Sequence, residues 1–386
     1  MSIVRLRGGL ELFLLKVLEI CALLPLKFDQ ESRRFVKTRR DVLYCVVLVV
    51  LFVIWAPFVF FHVFVQLFGA FGRMISALIG LQFLFVYMFL IIAQITLLRN
   101  GETIKGILNE MVIIREIMQM QYDFNKANVF YTKRLLFKVL IVDFGLLLLS
   151  LVVFFAFRED TLSLIELLTS LIFYLTRYFI TMVVTFIVMC LLLCDSIQST
   201  INHELRQLAQ GRTVGVSKPD PSIRHMYKIH CKCAVLVGQF MDKMNLPLLL
   251  LNAWYFFMLM VSVFYACVTI IVDVGKEGTV RGAVKYLNPA TFFVYIFTQI
   301  YYLTMIPSRC TANQRKMFRL LVQIARRSGD LSMERLMDAV IVDHLQRDYS
   351  IQNYGMYSID NQFLFGMIAT VASFVIILVQ FYIQNN

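Results

Sequence analysis

Charge is scarce in this 386-residue chain: Asp, Glu, Lys and Arg make up 16% of it, against 59% hydrophobic residues. A soluble domain rarely exceeds about half apolar, so water alone is excluded as its environment and a bilayer is expected. Catalytic and cofactor motifs are also missing. No Gly-rich phosphate loop, paired-histidine metal helix or nucleophile elbow occurs, so no enzyme, cofactor or resident metal is expected. His225 and His230 stand five apart without further ligands, and Cys231-Lys232-Cys233 lacks the rest of a zinc site. The eight cysteines are scattered, mostly within apolar runs, and read as reduced small hydrophobes. There is no Asn-x-Ser/Thr sequon to mark an outer loop. Nor does the N-terminus read as a signal peptide, because Lys16 and Glu19 interrupt it. Leu10, Phe13, Leu14, Val17, Ile20, Cys21 and Leu24 instead recur at helical spacing. They predict an amphipathic helix on the inner membrane face or on the bundle.

Long apolar runs are what the chain does have. Seven occur, near Asp41–Ala70, Met74–Leu98, Leu135–Phe157, Thr161–Cys194, Asn245–Val272, Asn288–Ile306 and Phe363–Ile383. Each approaches or exceeds the roughly 20 residues that cross a hydrocarbon core. Pro57 should kink the first, and the fourth is long enough to tilt or protrude. The expected fold is all-α, a polytopic membrane protein with seven transmembrane helices. Thirty-one Lys and Arg fall in the N-terminal segment and the three long loops, against five in the other loops, with Arg177 inside a helix. The positive-inside rule then predicts a cytosolic N-terminus and an extracellular C-terminus. That is opposite to a G-protein-coupled receptor. The net charge of +12 thus reads as a topology signal, not as a nucleic-acid footprint.

Four regions follow: a cytosolic N-terminal segment over 1–40, helices 1–6 with cytosolic extensions over 41–306, a cytosolic helical anchor over 307–360, and helix 7 over 361–386. In the anchor, Met317, Leu320, Leu321 and Ile324 share one helical face, as do Met333, Leu336, Met337, Val340, Ile341 and Leu345. Ser328-Gly329-Asp330 separates the two helices, and Pro219-Asp220-Pro221 reads as a turn. The apolar stripes must pack on the bundle or on a neighbouring subunit.

Polar residues inside the spans are the functional candidates. Arg177 lies about eleven residues, or roughly 16 Å of helix, inward of Glu166. It lines an outward-open ligand pocket, or it snorkels or pairs internally. For Asp143 an internal pair is favoured over a proton relay. Asn252, Gln299, Tyr295, Tyr301 and Tyr302 suit interhelical hydrogen bonds, and Trp254 and Tyr255 suit an aromatic-lined pocket. His62 reads as a packed core histidine. In helix 7, Gln380 would form a polar ring if several copies surround an axis. Ile377 would then form a constriction, with Phe381 adjoining. The alternative is one helix packed inside a monomer, with Gln380 bonded to a neighbour.

The C-terminal run from Gly355 to Asp360, then Asn361-Gln362-Phe363-Leu364-Phe365, leads to Ser373-Phe374-Val375-Ile376-Ile377-Leu378-Val379-Gln380-Phe381. This resembles the insect gustatory receptor signature: Thr-Tyr, five hydrophobic residues, then Gln-Phe. Ser373 replaces the usual Thr and Phe374 the usual Tyr, so a role for that tyrosine hydroxyl does not carry over. The resemblance implies a ligand-gated cation channel in the plasma membrane, assembled as a homotetramer, or as a heteromer with related subunits. Its partners would be a small-molecule tastant and membrane lipid. It implies a pore through the last helix, narrow near Gln380 and Phe381 with Ile377 one turn further in, and an anchor between subunits. The rivals are an odorant receptor of the same superfamily and a monomeric membrane transporter.

Overall fold

A computed structural model of the chain describes residues 3–70, 73–122, 124–156, 164–210, 220–273, 280–328, 331–346 and 350–385. The expected break at Gly329-Asp330, the Pro219 end of the expected turn and Arg158 lie outside these residues, as do the side chains of His62 and Glu166.

Helix α1 (Ile3–Ile20) precedes a small hairpin of β1 (Lys27–Asp29) and β2 (Arg34–Val36). The spans α2 (Arg39–Ala70) and α3 (Arg73–Arg99) follow, then α4 (Gly101–Gln121) and α5 (Asn125–Phe137). A π-helical stretch, Lys138–Gly145, joins α5 to α6 (Leu146–Ala156). Next come α7 (Leu164–Ala209), α8 (Asp220–Lys243), α9 (Asn245–Asp273), α10 (Val280–Ser328) and α11 (Leu331–Gln346). A second hairpin, β3 (Gln352–Asn353) and β4 (Tyr357–Ser358), leads into the last helix, α12 (Asn361–Asn385). Tyr354 and Gly355, at φ of 49° and 68°, make its turn, where a glycine relieves the strain of a left-handed residue.

Six of the described helices are long and apolar enough to cross a membrane: α2, α3, α7, α9, α10 and α12. The expected third span falls on α5, the π stretch and α6, one helical run whose hydrogen-bond register changes partway. Burial sorts the spans. In α7 89% of the apolar window is buried, so it is the central post, packed mainly on α10. The windows of α2 and α12 are only 17% and 22% buried, which puts both at the periphery. As expected of a run too long for one crossing, α7 continues well past the bilayer-sized segment. So does α10, which passes without a break from span to extension, across the expected boundary at 306/307. Pro57 sits inside an α2 that continues on both sides of it.

At the end of the bundle where these helices overrun, here called the extension end, α1 lays Leu14 and Leu18 on the core and leaves Phe13 and Ile20 exposed. Glu11 of α1 receives a two-oxygen hydrogen bond from Arg115 of α4, at 3.1 and 2.9 Å. Asn109 holds β2 by accepting from the Phe35 amide at 2.7 Å and donating to its carbonyl at 3.2 Å. Asp195 ties three helices together. It meets Arg309 at 3.0 Å and Arg134 at 3.9 Å, and accepts from Asn313 at 2.8 Å.

Candidate functional site

The densest polar cluster lies inside the bundle, where the π stretch faces α7 and α10. Lys138 Nζ donates to both Asp143 oxygens at 2.9 Å, and both side chains are fully buried. Residues five apart stand about 140° apart around an α-helix. The i→i+5 bonding of a π-helix brings them onto one side. Glycine at the end of the stretch suits this wind, since a Cβ on Gly145 would meet the Leu140 carbonyl at 3.2 Å. The Asp143 carboxylate is answered further by Gln299 Nε2 of α10 at 2.8 Å and by the Thr185 hydroxyl of α7 at 2.6 Å. An ion pair costs little in an apolar interior only when its remaining lone pairs are satisfied, and this one has that shell.

The cluster extends one turn up α7. Thr181 bonds to the Tyr295 hydroxyl of α10 and donates to the Arg177 carbonyl at 2.9 Å. Arg177 is 5% exposed, and its guanidinium lies over the Phe292 ring, 3.8 Å from the centroid, with Tyr174 at 5.9 Å. A cation on an aromatic face gains from the ring quadrupole, most of all where water is excluded. Tyr255 of α9 comes within electrostatic range of Tyr295 and Asp143. Trp254 packs against Tyr255, ring centroids 5.1 Å apart. Both rings are fully buried, and among the described residues neither the Trp254 indole N–H nor the Tyr255 hydroxyl has a hydrogen-bond partner. Unpaired buried donors of this kind call for a ligand or ordered water.

The pair favoured for Asp143 is present, with Lys138 as the partner. Lys138 is therefore no loop charge, and without it the basic split is thirty against five. Gln299 and Tyr295 make interhelical bonds as expected, while Asn252 donates at 2.8 Å to the Tyr357 hydroxyl of β4 rather than to another span. Arg177 and Tyr255 join one cluster. Among the described residues no group of three His, Cys, Asp or Glu is placed to hold a metal ion.

On α12, Leu364, Met367, Val371 and Val375 are buried against α9 and α10. Ser373, Phe374, Ile377, Gln380 and Phe381 are all exposed. Phe374 touches the bundle through an edge-to-face contact with Phe256 at 6.0 Å, and the Ser373 hydroxyl donates to the Ala369 carbonyl at 3.1 Å.

Fold and site together define a multi-pass helical membrane protein with a buried polar site among its spans and a polar stripe on its last helix. The chain belongs to the 7tm chemosensory receptor family, whose sequence model matches residues 11–385. No curated protein matches it. The fold is similar to that of the insect olfactory receptor OR5 from Machilis hrabei, at TM-score 0.65 and 12% identity over 98% of this chain and 99% of that one. It is also similar to the same receptor in complex with eugenol, at TM-score 0.67 and 13% identity over the same shares.

Proposed function

We propose that the chain is a gustatory receptor subunit of the plasma membrane: a nonselective cation channel, assembled from four copies or with related subunits, opened by a small-molecule tastant. The exposed face of α12 carries this proposal. Between 43 and 61, α2 shows the surroundings mostly apolar side chains such as Leu43, Val47, Ile54 and Phe58, as a lipid-facing helix should. Helix α12 is as peripheral, yet it shows Ser373 and Gln380 on one stripe with Ile377. A carboxamide gains nothing from lipid and much from water or a partner. An axis shared by α12 helices would supply both, with a Gln380 ring beside an Ile377 constriction and Phe381 adjoining. The distribution of Lys and Arg favours a cytosolic extension end.

Arg177, Trp254 and Tyr255, with Tyr295, form the ligand site in this proposal, as eugenol bound to the Machilis hrabei receptor suggests for a small organic molecule. Its route to the pore is short. Tyr255 lies within electrostatic range of Tyr295 and Asp143, and the next residue, Phe256, meets Phe374 of α12. Opening requires that ligand bind the open arrangement better than the closed one. The taste modality is favoured over olfaction by the Gln380-Phe381 end of the last helix.

The test is whole-cell current from cells expressing this chain, challenged with a broad tastant panel while G-protein signalling is blocked. The expected result is a ligand-evoked cation current whose permeation or gating changes in Gln380→Ala at unchanged surface expression. A current indifferent to Gln380→Ala would remove that residue from the pore. An unaltered dose response in Arg177→Ala would remove Arg177 from the ligand site.

A further inference from the structure

A second cavity system lies at the extension end, away from the cluster around Asp143. Two adjoining hollows of about 300 and 380 Å³ share Gly238, Ser350 and Ile351. Their walls come from α7, α8, α9 and α10 and from the segment 350–355. The hollow exists partly because position 238 is glycine: a Cβ there would meet nothing within 4 Å. Most of the lining is apolar, with Ala234, Val237 and Ile351 among it. Among the described residues the one charged member of the lining, Asp242, is solvent-exposed.

Two carboxamides on this lining have atoms without a hydrogen-bond partner among the described residues. Gln198 of α7 is fully buried, and both its Oε1 and its Nε2 are unbonded. Asn245 of α9, 9% exposed, has an unbonded Oδ1. Apolar walls with a few convergent polar groups are the make-up of a small-molecule site. Buried amides left unpaired are rare in native proteins. The chemistry of Gln198 is specific. A planar carboxamide offers one donor beside one acceptor, and the complement is the same pair reversed, the edge of a lactam or amide. Among the described residues the lining carries no basic side chain, and its carboxamides suit a neutral molecule.

We propose that this cleft binds a small neutral molecule with a lactam or amide edge on a compact apolar body, the edge pairing with Gln198 and the body packing over Gly238. Segment 350–355 forms one wall and leads through β4 into α12, so occupancy bears on the setting of the last helix. That consequence depends on α12 being the pore helix; binding itself does not.

The test uses purified full-length protein in detergent and three probes of increasing size, 2-pyrrolidone, 2-pyridone and 2-quinolone, followed by saturation-transfer NMR and thermal stabilisation. At least one probe should bind saturably, and its N-methyl derivative, which lacks the donor, should bind about tenfold more weakly. Gly238→Leu fills open space and should fold with an unchanged melting temperature while losing the probe. Gln198→Met keeps the volume and should weaken binding by a similar factor; it decides the matter if Gly238→Leu does not fold. Binding equal in both variants and the parent chain would overturn the proposal. So would no binding of any probe at millimolar concentration, which would leave the cleft to water alone.

Discussion

Lys138 and Asp143 show how a single side chain can change meaning with backbone register. Both sit at zero exposure, bridged to each other, with Thr185 and Gln299 filling the remaining sites on the carboxylate. Removing one partner strands a buried charge, which costs about 3–5 kcal/mol, whereas replacing the whole pair with apolar residues can be neutral. Asp143→Leu and Lys138→Met should therefore each lower the melting temperature sharply. The double change Lys138→Met/Asp143→Leu should lose less than the sum. Additive losses in a double-mutant cycle would mean that the two charges do not stabilise one another. Asp143 stood out in the sequence because a charge in an apolar run always does. Its partner did not, because α-helical spacing puts Lys138 on another face and among the loop charges.

His230 makes a prediction of a different kind. It lies on α8, outside the spans, fully buried beside Gln314, and burial pushes its pKa down from 6.5 to about 3. The folded protein keeps it neutral, while the unfolded chain takes up a proton below about pH 6.5. Stability from this residue is thus present above pH 6.5 and is lost as pH falls from 6.5 towards 3. Melting temperatures measured between pH 8 and pH 5 should drop less steeply in His230→Gln than in the parent chain. Equal slopes would mean that His230 is protonated in the folded protein.

At the scale of elements, α9 joins the polar cluster to the last helix. Consecutive residues point about 100° apart on an α-helix, so Tyr255 lies within electrostatic range of Tyr295 and Asp143 while Phe256 meets Phe374. Phe256→Ala should leave the affinity for a bound tastant unchanged and shift the dose response for current, because it removes the contact with α12 and nothing from the site. A proportionate change in both would place Phe256 in binding rather than in coupling. The seven apolar runs made most of this architecture legible, since span length and hydropathy are set by the bilayer and not by tertiary contacts. The π stretch was not legible. It is a change of hydrogen-bond register within apolar sequence, with Gly145 as its one local sign. The hairpins were hidden for another reason. β3 and β4 are two residues each, too short for any alternation of side chains to show.

Across the whole molecule, spans α2 and α12 both lie at the periphery and differ in what they show the surroundings. Helix α2 is apolar there, and α12 carries Ser373, Ile377 and Gln380 on one face. The polar residues of α12 could be read from the sequence. That they face away from their own bundle could not, because it depends on how α9 and α10 cover Val371 and Val375. Exposure of the whole stripe in one protomer is what a partner across an axis would require. The most direct measurement is oxidative cross-linking in membranes of Ile377→Cys and Gln380→Cys, with Val47→Cys on α2 as a control and the parent chain reporting the background from its own cysteines. The expected result is disulfide-linked dimers for the two α12 positions and none above background for α2. Monomers throughout, at cysteines shown to be reactive, would contradict an α12 that faces copies of itself.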